Sequence, residues 1–174
     1  MDAIGRLGLG AAVWAVAVGA CAEADPAEPR AAADPATAWV EIAGELFELE
    51  LALDPASRLR GLSGRREIAR DGGMLFAFPD SRPLHFVMRD CPIPIDVAFL
   101  DEEGRIVAIH AMRPEAPRAP GEAPAAYEAR LPTYASGAPA RFAIEAAGGR
   151  LGQLGARPGL RVVFDAADLL ARAR

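Results

Sequence analysis

Apolar and acidic residues alternate twice near the start of the densest part of the chain. Val40 and Ile42 flank Glu41, and Phe47, Leu49, Leu51 and Leu53 interleave with Glu48 and Glu50. A period of two predicts strands with one wet face, and Ala43-Gly44-Glu45 between them is short enough for a hairpin turn. Asp54-Pro55 has the form of an N-cap followed by proline at the first helical position, so a short helix is predicted over 55–60, ended by Gly61. From Gly61 to Gly73 there are four glycines and five charged residues without alternation, the pattern of a structured loop.

Three apolar runs of strand length follow, Met74 to Phe78, Leu84 to Met88 and Ile95 to Leu100, separated by breaks that contain proline. They predict neighbouring strands of a buried sheet. Asp101-Glu102-Glu103-Gly104 is a turn signal, and the returning strand to Met112 would place Ile106, Ala108, His110 and Met112 on one face. Four prolines between Pro114 and Pro124 predict a long exposed loop. Arg141 to Ala146 and Leu160 to Phe164 read as further strands, the segment after Gly148-Gly149 through Leu154 as a short helix, and Asp165 to Arg174 as a capped terminal helix. The fold class predicted is mainly β: an antiparallel, barrel-like or sandwich sheet of about seven or eight strands with one or two short helices.

A chain of 174 residues, 52% hydrophobic, is enough for one sizeable core. The net charge of −5, with all 19 basic residues arginine and none clustered, argues against nucleic acid as a partner. At the amino end, Leu7 to Ala20 is fourteen uncharged residues after Arg6, the apolar core of an export signal and short for a membrane span. Val18-Gly19-Ala20-Cys21 resembles the lipobox of bacterial lipoproteins, which would make Cys21 a lipidation site and the membrane a partner through that anchor. The alternatives are a secretory signal cut at Ala22-Glu23-Ala24 and a helix that is never cut. The domain plan is therefore a signal segment over 1–20, a disordered, proline-bearing tether over 21–38 and a single β-rich domain over 39–174. The localisation this implies is the bacterial cell envelope, with the domain facing the periplasm on a lipid anchor, the outer membrane being favoured by Ala22 after the cysteine.

The stretches GLSGR at Gly61 to Arg65, GMLFAF at Gly73 to Phe78, HFVMRDCPIPIDVAFLD at His85 to Asp101 and the later FAIEAAGG resemble the family known as domain of unknown function 192, or uncharacterised protein family 0127. The resemblance spans about Val40 to Phe164 and rests on Gly61, Leu62, Arg65, Gly73, Met74, Phe76, Phe86, Met88 and Asp96. This chain departs from it at Val87, where tryptophan is usual, at Asp90-Cys91 in place of Asn-Thr, and at Ser63 in place of Met. The resemblance implies the domain boundaries and no activity.

Asp96 stands inside an apolar strand and needs a partner; Arg65 and Arg89 are the candidate cations, forming an Arg-Asp pair between loop and strand. Together with Met74 and Met88 these residues outline a binding groove between the Gly61 to Gly73 loop and the Gly73 to Asp101 strands. The leading functional expectation is a binding or accessory module for a small molecule or an envelope component. The alternative is an envelope hydrolase with Asp96 and His85 in acid-base roles, and a minor alternative is copper binding by His85, Met88, His110 and Met112. Cys91 reads as an inert thiol, and no cofactor is predicted.

Overall fold

The computed structural model describes residues 36–174. Cys21 and nearly all of the predicted signal and tether lie outside the described residues, although Thr37 and Ala38 belong to the first strand rather than to a tether. The first strand, β1 (Thr37–Ile42), and β2 (Glu45–Ala52) form the hairpin that the alternation predicts, with Val40 opposite Phe47. Its turn uses positive φ at both Ala43 and Gly44, the geometry that matches the twist of paired strands. Helix α1 (Pro55–Arg60) starts on a capping box in which Asp54 accepts from the Ala56 and Ser57 amides.

The remaining elements are β3 (Gly72–Phe86), β4 (Ile95–Leu100), β5 (Ile106–Met112), α2 (Pro124–Arg130), β6 (Tyr134–Ala147), α3 (Arg150–Gln153) and α4 (Ala166–Arg172). The protein is mainly β, and its sheet has the order β1-β2-β3-β6-β4-β5. This corrects the barrel or sandwich of seven or eight antiparallel strands. Six strands form an open, mixed sheet in which β2 and β3 run parallel and the other pairs antiparallel. Helix α1 and the loop after it carry the chain back across the end of β2, and such a crossover makes the next strand parallel. Side-chain alternation is blind to strand direction.

Three local differences follow from backbone features. The runs at Met74 and Leu84 are one strand, because register shifts between Ala77 and Arg82 and between Pro83 and His85 absorb Pro79 and Pro83 without ending it. A further shift at Phe99 and Leu100 moves Ile106 to the opposite face from Ala108 and Met112. Residues 160–164 make two isolated bridges, Glu41 with Val163 and Arg105 with Arg161, instead of a strand.

Both faces of the sheet are buried. On one, Phe47, Leu49, Leu75, Phe142 and Ile144 pack under Leu151, Val162 and Leu169 from the carboxy-terminal third. On the other, Met74, Phe76, Val97, Phe99 and Ala143 pack under Leu62, Met88 and Cys91, which come from the loop after α1 and the segment between β3 and β4. The second face is covered by irregular chain, and there the cover is incomplete.

Candidate functional site

A cleft of about 420 Å³ opens on the second face between α1 and β3. Phe76, Phe78 and Phe86 form its apolar walls, with Phe76 and Phe86 edge to face at 4.9 Å between ring centres. Arg58, Arg82 and Arg89 stand around it, and Glu145 lies at its floor. Glu145 belongs to the central strand β6, between Met74 of β3 and Val97 of β4. Its side chain is enclosed, and Oε2 has no hydrogen-bond partner. Burial alone pushes its carboxyl pKa up to about 8. Gly61 lies beside it: a methyl group there would stand in ordinary van der Waals contact, 3.6 Å from the Phe76 ring and 3.7 Å from Glu145 Oε2.

The segment that roofs the cleft is held at several points. Asp90 has φ of 52°, uncommon for a non-glycine residue. Its amide donates to the Tyr127 hydroxyl at 3.0 Å, which in turn donates to its carboxylate at 3.2 Å, and its carbonyl accepts from the Gly64 amide at 2.8 Å. Ser63 Oγ donates to the Arg89 carbonyl at 2.8 Å. Arg89 is forked onto Glu128 of α2 and also donates to the Leu59 carbonyl, so it clips the end of α1 to α2. Cys91 is a buried free thiol whose pKa is raised to about 11, by burial first and by the Glu145 charge second.

The residues singled out from sequence are dispersed. Asp96 does not pair with Arg65 or Arg89. Its two oxygens accept from the Gly149 and Leu151 amides, each at 2.9 Å, tying β4 to the start of α3. Arg65 instead pairs with Glu50 at 2.6 Å and Arg89 with Glu128. Asp96 is opposite Ala146 and faces the first core, whereas exposed His85 lines the cleft on the second, so the Asp96 and His85 acid-base pair does not form. Met74, Met88 and Met112 are packed in the second core, and His110 Nε2 bonds the Ala135 carbonyl at 2.8 Å. Among the described residues no three His, Cys, Asp or Glu side chains gather at one point. Glu145 was hidden in the sequence because its alternation with Ile144 matches that of a half-wet strand; only the placement of β6 between two neighbours buries it.

A family model described as Uncharacterized ACR, DUF192, matches residues 38–164. The chain belongs to the DUF192 family. The DUF192 region contains every residue of the cleft and stops short of α4. No curated protein matches the sequence. A conjectured transcription regulator of Sinorhizobium meliloti 1021, solved by crystallography, is similar at 29% identity and a TM-score of 0.61, over 76% of this chain and 96% of that one. A protein of unknown function from Novosphingobium aromaticivorans DSM 12444 shares the fold at 24% identity and a TM-score of 0.61, over 82% of this chain and 94% of that one.

Proposed function

We propose that this DUF192 domain is a small-molecule-binding module of the cell envelope, held at the membrane through Cys21, and that its ligand enters the cleft between α1 and β3. The observation that carries this reading is Glu145: a carboxyl without a partner on Oε2, enclosed at the floor of an aromatic-walled cleft. An unsatisfied buried polar group costs about 1–3 kcal/mol, and a ligand that brings a donor to it removes that cost. The cleft's size and its three phenylalanines are those of ligand sites, and its charged lining consists of four arginines with Glu145 as the one acid. The regulator description of the Sinorhizobium protein supports no nucleic-acid role here, because a net charge of −5 gives the chain no basic footprint.

The test is a fragment screen by NMR on the isotope-labelled protein. The expected result is a cluster of shifted amides at Gly61, Ser63 and Phe76 for a subset of fragments, lost in Glu145→Ala. Fragments that cluster elsewhere, or that bind Glu145→Ala unchanged, would overturn the reading.

A further inference from the structure

Four large apolar side chains stand more than half exposed among the described residues: Trp39, Leu46, Leu59 and Val163. Leu59 belongs to the wall of the cleft. The other three, 65%, 60% and 56% exposed, gather on one surface although they come from three stretches of chain. Leu46 is opposite Glu41 in the β1–β2 hairpin, and Val163 is opposite the same Glu41 across an isolated bridge on its other side. Residues opposed across strands point the same way, so Val163, Glu41 and Leu46 form one row, roughly 10 Å long at about 4.8 Å between strands. Trp39 lies two residues before Glu41 on the same face and makes the next row with Glu48. The chain neighbours Val40, Ile42, Phe47 and Val162 are buried in the first core, so this surface points away from it. Exposed apolar side chains scattered singly are ordinary; three of four on one sheet edge mark a contact surface.

Two observations choose what covers it. The first is position. Trp39 is in the first strand, and residues 22–36 separate Cys21 from that strand, a length that reaches about 50 Å at most. An anchored Cys21 therefore keeps the patch near lipid at an effective concentration of about millimolar, at which a contact too weak to hold a free domain holds a tethered one. The second is charge. The polar residues within the two rows, Glu41 and Glu48, are acids, and the chain carries a net charge of −5, so an anionic surface repels it. A zwitterionic surface offers ammonium groups to the two carboxylates and, at the same depth, the headgroup level that an indole ring prefers. Resting on the reading of Cys21 as the membrane attachment, we infer that Trp39, Leu46 and Val163 form a lipid-docking face that lays the β1–β2 hairpin on a zwitterionic bilayer.

The test uses the full chain with Trp14→Phe, which leaves Trp39 as its one tryptophan. The protein is recovered from the membranes of a bacterial host and reconstituted in phosphatidylcholine vesicles, with or without bromine on the upper acyl carbons. Trp39 is expected to emit at shorter wavelength than in Leu46→Glu and to be quenched by the brominated lipid. Leu46→Glu and Val163→Glu, both at exposed positions, should each lower the ratio of docked to undocked chain about tenfold or more, the factor for one large apolar side chain left in water. Admixed phosphatidylglycerol should lower it too, and quenching that rises with phosphatidylglycerol would overturn the choice of lipid. Trp39 left unquenched in the reconstituted chain, or quenched equally in both variants, would overturn the docking face and leave the anchor standing. A shift to shorter wavelength without bromine quenching would mean that a second copy of the chain covers the patch, which overturns lipid as its occupant. A chain absent from the host membranes would remove the anchor reading and this inference with it.

Discussion

Asp96 and Glu145 lie one register step apart on neighbouring strands and point to opposite faces of the sheet, since Glu145 is opposite Val97 and Asp96 is opposite Ala146. Both carboxyls are buried, 3% and 6% exposed, so burial does not distinguish them. Hydrogen bonding does. Asp96 holds two backbone amides, whereas Oε2 of Glu145 holds nothing. The first is a structural group and the second a vacant one, and their variants should behave in opposite ways.

Replacing Asp96 with Ala strands the Gly149 and Leu151 amides inside the protein. Hydrogen bonds to a charged acceptor contribute about 1.5–3 kcal/mol each, and buried donors left alone are costly. A loss of about 2–4 kcal/mol is expected in denaturant unfolding, with Asp96→Asn losing less because its carbonyl oxygen still serves one amide. An Asp96→Ala protein as stable as the parent would show that water reaches these amides.

Glu145 should make stability depend on pH. Its folded pKa, about 8, lies above the ordinary carboxyl value, so between roughly pH 4.5 and 8 the folded state holds a proton that the unfolded state has released. Stability therefore falls as pH rises through that window, by at most about 1.4 kcal/mol per pH unit from this group. Above the folded pKa both states are ionised and its contribution levels off. Glu145→Gln cannot ionise, so its unfolding midpoint should be flatter over the same range. Equal slopes for the two proteins would show that Glu145 titrates normally.

The strand periods, the first hairpin, α1 with its Asp54 cap and the β4 to β5 turn were legible in the sequence because each is encoded by residues adjacent in the chain. The strand order was not. It depends on β6, the last strand, inserting between β3 and β4, through pairings such as Gly73 with Ala146 and Ile95 with Ala147 that join residues far apart in the chain. The same insertion hid the site. Glu145 follows Ile144 as Glu50 follows Leu49, yet Glu50 sits near the surface pairing with Arg65 and Glu145 is enclosed. Asp96 stood out because its neighbours are apolar on both sides, which correctly signals burial but says nothing of its partner. Its acceptor role depends on the turn at Gly148-Gly149 presenting amides, a matter of geometry and not of residue type.

Gly73 is required where β3 meets β6. Its φ is 147°, and a Cβ there would fall 2.0 Å from the Glu145 carbonyl oxygen, which is backbone and cannot yield. Gly73→Ala should cost about 3 kcal/mol or more, the range reached by strain in a core. Gly152 in α3 has open space around it and no unusual φ, so Gly152→Ala should stabilise slightly, by up to about 1 kcal/mol. Thermal unfolding of the two variants gives the comparison, and a mild Gly73→Ala would mean that the strand pair can slide.

Cys91 should be a slow thiol. With its pKa near 11, about one molecule in ten thousand carries the thiolate at pH 7. In a Cys21→Ser chain, where Cys91 is the remaining thiol, alkylation is expected to accelerate about tenfold per pH unit from 7 to 9. Fast labelling at pH 7 that does not change up to pH 9 would show an activated thiolate instead.

The anchor proposed at Cys21 lies outside the described residues and is tested independently of the cleft. Each buried methylene of an acyl chain contributes about 0.8 kcal/mol, and one chain alone holds a protein only marginally, so a stable attachment needs several chains on the one cysteine. In a bacterial host fed a traceable fatty acid, the label should enter the parent chain and Cys91→Ser and be lost from Cys21→Ser. The unlabelled protein should then leave the membrane fraction if its leader is cut after Ala24, and stay there if the leader is retained. Label persisting in Cys21→Ser would end the lipidation reading. Loss of the label with retention at the membrane would assign the attachment to the apolar stretch from Leu7 to Ala20 instead.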